Sequence, residues 1–366
     1  MNDNLKVCIY TICKNEEKFI DRWYESVKDA DYICVLDTGS TDNTVEKLKK
    51  YNIITDTKII NPWRFDVARN ESMKLIPKDT DVCFCIDIDE VIKPGWKEEI
   101  KKVWKKDTNR LRYTFLGQLD KHGNPTYHFI NNKIHSLNGY EWKSPLHEYL
   151  VCKNNIENTI LNENIVVYHR PDETKSRAAY LDILKQAVID NPNDDRCLFY
   201  LGKEYMIYNK YNDAIKTFLK HINMPTSTWD LERSASMRYL AKCYDHINNY
   251  EESKKWLENA IKETPNIREP YVDLAKIEYI ISNYDNVIDN CHKALKITEK
   301  EKNYTNEPYC WDHTIYELLA LSLYFKKEYQ EALKYINLAI NISPDYNILK
   351  TYKNIIEKDI TKKGIE

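Results

Sequence analysis

Short apolar runs alternate with amphipathic stretches along the first half of the chain, and only the amphipathic stretches continue into the second half. The apolar runs at 5–12, 31–36, 56–60 and 81–87 predict strands, and the stretches at about 16–29, 42–51, 66–76 and 95–105 predict helices. Alternation of this kind predicts a mostly parallel sheet covered by helices. Further strands, mixed in direction, are expected at 110–116, 126–130 and 164–168. The polar, turn-like segment from Pro171 to Ser176 marks a border. The expected organisation is an α/β domain over 1–175 and an all-α domain over 176–366.

The helical half repeats itself. Leu201-Gly202-Lys203-Glu204-Tyr205 leads to Tyr211, and Leu240-Ala241-Lys242-Cys243-Tyr244 leads to Tyr250. Leu274-Ala275-Lys276 leads to Tyr284, and Leu319-Ala320-Leu321 leads to Tyr329. The steps between these tyrosines are 39, 34 and 45 residues, the longer ones carrying insertions at Pro225 to Asp230 and Asn303 to Asp312. The 34-residue step and the Leu-Gly, Tyr and Ala positions resemble the tetratricopeptide repeat. A last helix at about 345–358 is expected to cap the stack. The Tyr and Leu stripes read as core between helices. His221, His246, His292 and His313 show no ligand spacing and are assigned no role.

The chemistry concentrates at strand ends in the first half. The first strand opens into Thr11-Ile12-Cys13-Lys14-Asn15-Glu16-Glu17, and the second ends in Asp37-Thr38-Gly39-Ser40-Thr41-Asp42. Ala68-Arg69-Asn70 follows, and a further strand ends in Asp87-Ile88-Asp89-Glu90. Open α/β sheets bind ligands at the carboxyl ends of their strands. Two carboxylates spaced i, i+2 there can hold a hard divalent cation that bridges phosphates. Clustered acids at a strand end are costly unless a cation or hydrogen bonds compensate them. Several of these residues also have structural readings: Asp37 and Asp42 as caps, Glu16 as a charge matching a helix dipole, and Arg69 as a helix-surface residue.

These four segments together resemble glycosyltransferase family 2 over about residues 5–170. The resemblance implies a Rossmann-like, mostly parallel GT-A fold, and a sugar transferred from a nucleotide-diphosphate donor with inversion. UDP-sugars are favoured as donor and Mn2+ or Mg2+ as the ion. It implies that Asp89 meets the metal and diphosphate, and that Asp87 faces the ribose or the metal. Asp37 would bond the nucleobase. Thr11, Lys14 and Glu16 would line the base and ribose pocket, with Arg69 and Asn70 supporting it. Glu90 is open between sugar contact and structural support. His169 is the candidate third metal ligand, although a lone His is more often structural.

Further along, Leu146-His147-Glu148 resembles a late His-Glu segment of the same family branch. Displacement at an anomeric carbon needs a carboxylate near the attacking hydroxyl. Glu148 is the first candidate base, with His147 orienting it or meeting phosphate, and Asp120 is the second. The alternative is a buried His and a surface Glu on one strand. The expected acceptor is a glycan, protein or peptide. With so short a catalytic domain the repeats are a candidate part of the acceptor site, or a surface for a protein partner or homodimer. A rival reading is a non-catalytic tetratricopeptide scaffold whose first domain is degenerate.

The net charge of −3 suggests no nucleic-acid surface. Met1-Asn2-Asp3-Asn4 lacks the basic and apolar pattern of a signal peptide, and no apolar run is long enough to span a bilayer. The ten cysteines fall mostly in strand and helix patterns, where Cys acts as a small hydrophobe, so a reducing, cytoplasmic location is expected.

Overall fold

The computed structural model describes residues 4–117, 125, 127–153, 156–172 and 178–363. The chain divides into two compact units: Met1–Pro192 with Lys302–Tyr304, and Asn193–Glu301 with Thr305–Glu366. The first unit therefore extends beyond the expected border at 175/176.

The first unit runs β1 (Val7–Cys13), α1 (Ile20–Val27), β2 (Tyr32–Asp37), α2 (Thr44–Lys50), β3 (Ile54–Thr57), α3 (Phe65–Met73), β4 (Val82–Cys85), β5 (Glu90–Ile92) and α4 (Trp96–Val103). It continues with β6 (Arg110–Leu116), β7 (His128–Ser136), β8 (Tyr140–Lys143), β9 (Tyr149–Cys152), β10 (Thr159–His169) and α5 (Tyr180–Asp190). Eight strands form one sheet in the order β3-β2-β1-β4-β7-β6-β10-β5, and β8 and β9 form a separate hairpin. Strands β1 to β4 are parallel to one another, whereas β7 runs antiparallel to both its neighbours, β4 and β6.

Side-chain alternation divides the core in two. Val7, Ile9, Val82 and Phe84 join α1 and α4 through Ile20, Trp23, Trp96 and Ile100. Cys8, Tyr10, Cys83 and Cys85 point to the opposite face, under Tyr140, Trp142 and Leu150 of the hairpin. Cysteines there leave room for the large rings above them.

Several elements depart from expectation. β3 stops at Thr57, where its pairing with β2 ends at Asp37. β7 extends through Asn131-Asn132-Lys133, polar residues that hid it in the sequence. The β8–β9 hairpin and β5 were not expected, because strands of three or four residues carry little periodic signal.

The second unit is helical: α6 (Asp195–Ile207), α7 (Tyr211–Ile222), α8 (Asp230–His246), α9 (Tyr250–Glu263), α10 (Glu269–Ile280), α11 (Tyr284–Leu295), α12 (Thr314–Phe325), α13 (Tyr329–Ile342) and α14 (Asn347–Lys363). Each helix pair turns through a left-handed residue two positions before the repeating tyrosine: Asn209, Asn248, Ser282 and Lys327, with φ of 55°, 59°, 61° and 68°. Such a residue ends a helix by turning the next amide back onto it, as when Lys210 N–H donates to Tyr205 O. Gly202 lets α6 and α7 meet: a Cβ there would lie 2.5 Å from the Phe218 ring.

Candidate active site

The sheet brings the carboxyl ends of β1, β2 and β4 side by side, with Cys13 paired to Asp37 and Tyr10 to Cys85. Asp87 follows β4 and shares the face of Cys85. On the neighbouring β7, Ile134 pairs with Phe84, so Lys133 lies beside Cys85 at the same end.

Arg69 on α3 is the hub. Its guanidinium donates to both Asp87 oxygens, at 2.7 and 3.1 Å, to Glu148 through Nε, and to Cys85 Sγ at 3.0 Å. It also lies 5.0 Å from the centre of the Trp142 ring. The planar fork makes a bidentate pair possible. Lys133 Nζ donates to Asp87 at 2.8 Å and to Glu90 at 3.1 Å, and Thr11 Oγ1 reaches Asp87 at 3.3 Å. Burial would raise the Asp87 pKa, but Arg69 and Lys133 outweigh it and hold the carboxyl well below the usual carboxylate range. Glu90, 2 % exposed, accepts from the Asp87 backbone N–H at 2.9 Å. Burial pushes its pKa up to about 7, with Lys133 opposing and the charges of Asp87 and Asp89 adding.

Asp89 points elsewhere. Its carboxylate lies 3.4 Å from His169 Nε2, and its carbonyl accepts from Arg170 N–H at 2.7 Å. His169 is placed by the pairing of β10 with β5, which sets it opposite Glu90. Tyr127 Oη holds its Nδ1 at 2.7 Å. Burial disfavours the charged ring, but the contact with Asp89 outweighs it and raises the His169 pKa.

Glu148 faces Arg69 because of a constrained loop between β8 and β9. Ser144 and His147 both have positive φ, 79° and 56°. Ser144 Oγ donates to Leu146 O at 2.7 Å, and Phe65 N–H donates to Pro145 O at 3.0 Å, tying the loop to the start of α3.

Residues 8–184 match the family model described as Glycosyl transferase family 2. The first unit of this chain is a glycosyltransferase family 2 domain. Residues 240–267 and 313–346 match the tetratricopeptide repeat model, and the chain carries these repeats after the glycosyltransferase domain. No curated protein matches the chain. Among solved structures, the crystal structure of MamA is 21% identical, covering 45% of this chain and 81% of its own, with a TM-score of 0.37. YrrB, a TPR protein with an unusual peptide-binding site, is 14% identical, covering 48% of this chain and 83% of its own, with a TM-score of 0.37. A thermophilic TPR protein of Thermus thermophilus is 16% identical, covering 49% and 89%, with a TM-score of 0.35.

Within the glycosyltransferase domain, Thr11, Arg69, Asp87 and Glu148 converge, and Asp89 meets His169. Glu90 has structural partners. Asn70 turns away from this group: its amide donates to Trp142 O and accepts from Trp142 N–H, each at 2.9 Å. Asp37 is 1 % exposed and accepts from the N–H groups of Gly39 and Ser40 at 3.1 Å, so it organises its own turn, while Asp42 accepts from Thr44 N–H at 3.0 Å. Lys14 is exposed, and Glu16 is buried with its N–H on Thr44 Oγ1 at 2.8 Å. His147 and Glu148 lie in a loop, not on a strand. Asp120 lies outside the described residues. Lys133 and Tyr127 were not anticipated. Lys133 sits in a polar stretch, and its meeting with Asp87 follows only from the insertion of β7 beside β4.

Proposed function

We propose that this domain transfers a hexosyl group from a nucleotide-diphosphate sugar, UDP-sugars favoured, to an acceptor hydroxyl with inversion. The observation that carries the reading is the division of labour between two acids of one strand end. Asp87 is neutralised by Arg69 and Lys133, whereas Asp89 is oriented toward an imidazole.

The donor set around Asp89 fits a divalent cation. It combines a carboxylate with His169 Nε2, and the second ring nitrogen is held by Tyr127, as outer partners commonly hold ligating histidines. Such oxygen and nitrogen donors suit manganese, and magnesium less well because of the imidazole. When bound, the ion supplies Lewis-acid assistance to departure of the diphosphate.

The other residues have separate tasks in this proposal. Asp87, its charge already balanced, faces the ribose rather than the metal. Thr11, Lys14, Glu16 and Asp37 line the nucleoside pocket, the last by fixing the turn at Gly39. Arg69 holds Asp87 in place and pairs with Glu148 through Nε, which orients that carboxylate. Glu148 then accepts the proton of the acceptor hydroxyl. Asn70 supports the pocket indirectly, by fastening the strand that carries Trp142. The tetratricopeptide repeats favour a polypeptide acceptor or partner. No described helix is long and apolar enough to cross a membrane.

The test is a hydrolysis screen over UDP-, GDP- and CMP-sugars, since slow hydrolysis needs no acceptor, together with titration calorimetry of UDP with and without Mn2+. Asp89→Ala is expected to abolish metal-dependent binding and turnover while the melting temperature changes little. Near wild-type turnover in that variant with manganese would remove the metal assignment. Absence of both hydrolysis and metal-dependent binding in the unaltered protein would favour the scaffold reading.

A further inference from the structure

The repeat unit contains a second cluster of ligand-type side chains, independent of the strand-end site. Asp195 opens α6, His221 lies in the last turn of α7, and Glu232 lies in the first turn of α8. One ligand atom from each, an imidazole nitrogen and two carboxylate oxygens, lies within 4.8 Å of the others. His221 is fully buried and Glu232 is 5 % exposed, while Asp195 is half-buried.

The imidazole is held in one orientation. Its Nδ1 meets Ser236 Oγ at 2.9 Å, and Phe199 packs with its ring centre 5.6 Å away. That leaves Nε2 directed at Glu232 Oε1, 3.6 Å away, with Ser227 Oγ at 3.2 Å. A histidine with one nitrogen fixed by an outer partner and the other facing carboxylates is the arrangement that metal-ligating histidines adopt.

We infer that Asp195, His221 and Glu232 bind a divalent transition-metal ion of the zinc class. One borderline imidazole nitrogen with two hard carboxylate oxygens is a donor set that zinc takes, and the imidazole favours such an ion over calcium or magnesium. Metal–ligand bonds of about 2.0–2.2 Å bring donor atoms to roughly 3.3–3.5 Å from each other. His221 Nε2 and Glu232 Oε1, 3.6 Å apart, are already close to that spacing, and the ligand atom of the partly exposed Asp195 lies within 4.8 Å of both. Ser227 or water completes the shell. The site is structural: it ties α6, α7 and α8 together at the first repeat. A terminal repeat packs on one neighbour only and is the weak end of such an array, and an ion bound only by the folded state stabilises it by mass action.

The test uses the full chain freed of metal by a chelator and titrated with Zn2+ and, separately, with Co2+, whose visible absorption reports the ligand set. Asp89→Asn removes the proposed catalytic ligand; Glu232→Gln and Asp195→Asn keep side-chain shape and remove ligand charge. The expected result is one tightly bound ion that survives Asp89→Asn, with a melting temperature raised by several degrees on adding Zn2+. Both the ion and the rise should be lost when Asp195→Asn or Glu232→Gln is added to Asp89→Asn. Asp195 is half-exposed, so its variant keeps the test decisive if Glu232→Gln folds poorly, which circular dichroism reports. Zinc uptake and melting shift unchanged when Asp195→Asn is added to Asp89→Asn, or no Zn2+ uptake by Asp89→Asn, would overturn the inference.

Discussion

At the residue scale the site turns on ion pairs that fix the positions of the side chains. Arg69 binds two carboxylates at once, and a buried pair broken on one side typically costs about 3–5 kcal/mol, so Asp87 and Glu148 are held in place together. Glu148→Gln is expected to lower transfer by about a hundredfold, the scale of general-base contributions, with donor affinity nearly unchanged. Single-turnover kinetics beside Asp120→Asn check this. Loss confined to Asp120→Asn would move the base into the 117–125 turn, and loss of donor binding in Glu148→Gln would move that residue into the phosphate shell. Glu90 gives a pH signature. Its folded pKa, about 7, lies above the 4.5 of an ordinary Glu. The folded state therefore holds an extra proton between those values, and stability falls as pH rises from about 4.5 to about 7, by up to about 1.4 kcal/mol per pH unit. Glu90→Gln should lack this slope in urea midpoints measured across the range. Equal slopes in the two proteins would place the Glu90 pKa near its ordinary value.

At the element scale, α3 connects the sheet to the β8–β9 hairpin. Asn70 makes two hydrogen bonds to the backbone of Trp142, and Trp142 in turn covers Arg69. Asn70→Ala leaves two backbone groups without these partners, which should cost about 1–3 kcal/mol. The expected outcome is a lower urea midpoint with nucleotide affinity reduced less than by Asp89→Ala. An unchanged midpoint would mean that the hairpin is held by its apolar face alone, through Tyr140, Trp142 and Leu150. The hairpin was invisible in the sequence, since four-residue strands leave no periodic signal. The repeat helices were legible because each presents several turns of apolar positions. Their left-handed turns were not, because Asn209, Asn248, Ser282 and Lys327 share a conformation and not a residue type.

At the scale of the whole molecule, the chain joins a glycosyltransferase family 2 domain to an array whose helices pack mainly on their sequence neighbours. A fragment ending at Pro192 keeps α5, whose Leu181, Leu184 and Ala187 are buried; one ending at 175 discards it. Fragment 1–192 is expected to bind nucleotide with metal as the full chain does, and to lose transfer to the natural acceptor. Calorimetry and an acceptor assay measure the two separately. Full acceptor transfer by the fragment would reduce the repeats to a device for targeting or oligomerisation.

The alternation of strands and helices in the first half, the helical repeat and the placing of Asp87 and Asp89 at a strand end were determined by the sequence itself. Each is written in neighbouring residues, as periodicity, turn chemistry or acids placed where a strand must end. The tertiary structure alone decided what those acids meet. Lys133 reaches Asp87 because β7 enters the sheet antiparallel beside β4, and Glu148 reaches Arg69 because a hairpin folds over α3. His169 meets Asp89 because β10 ends opposite β5, and His221 meets Asp195 and Glu232 because three helices of the array converge. Pairings between residues far apart in the chain depend on sheet order and helix packing, which are set by the burial of the whole core and by no local pattern.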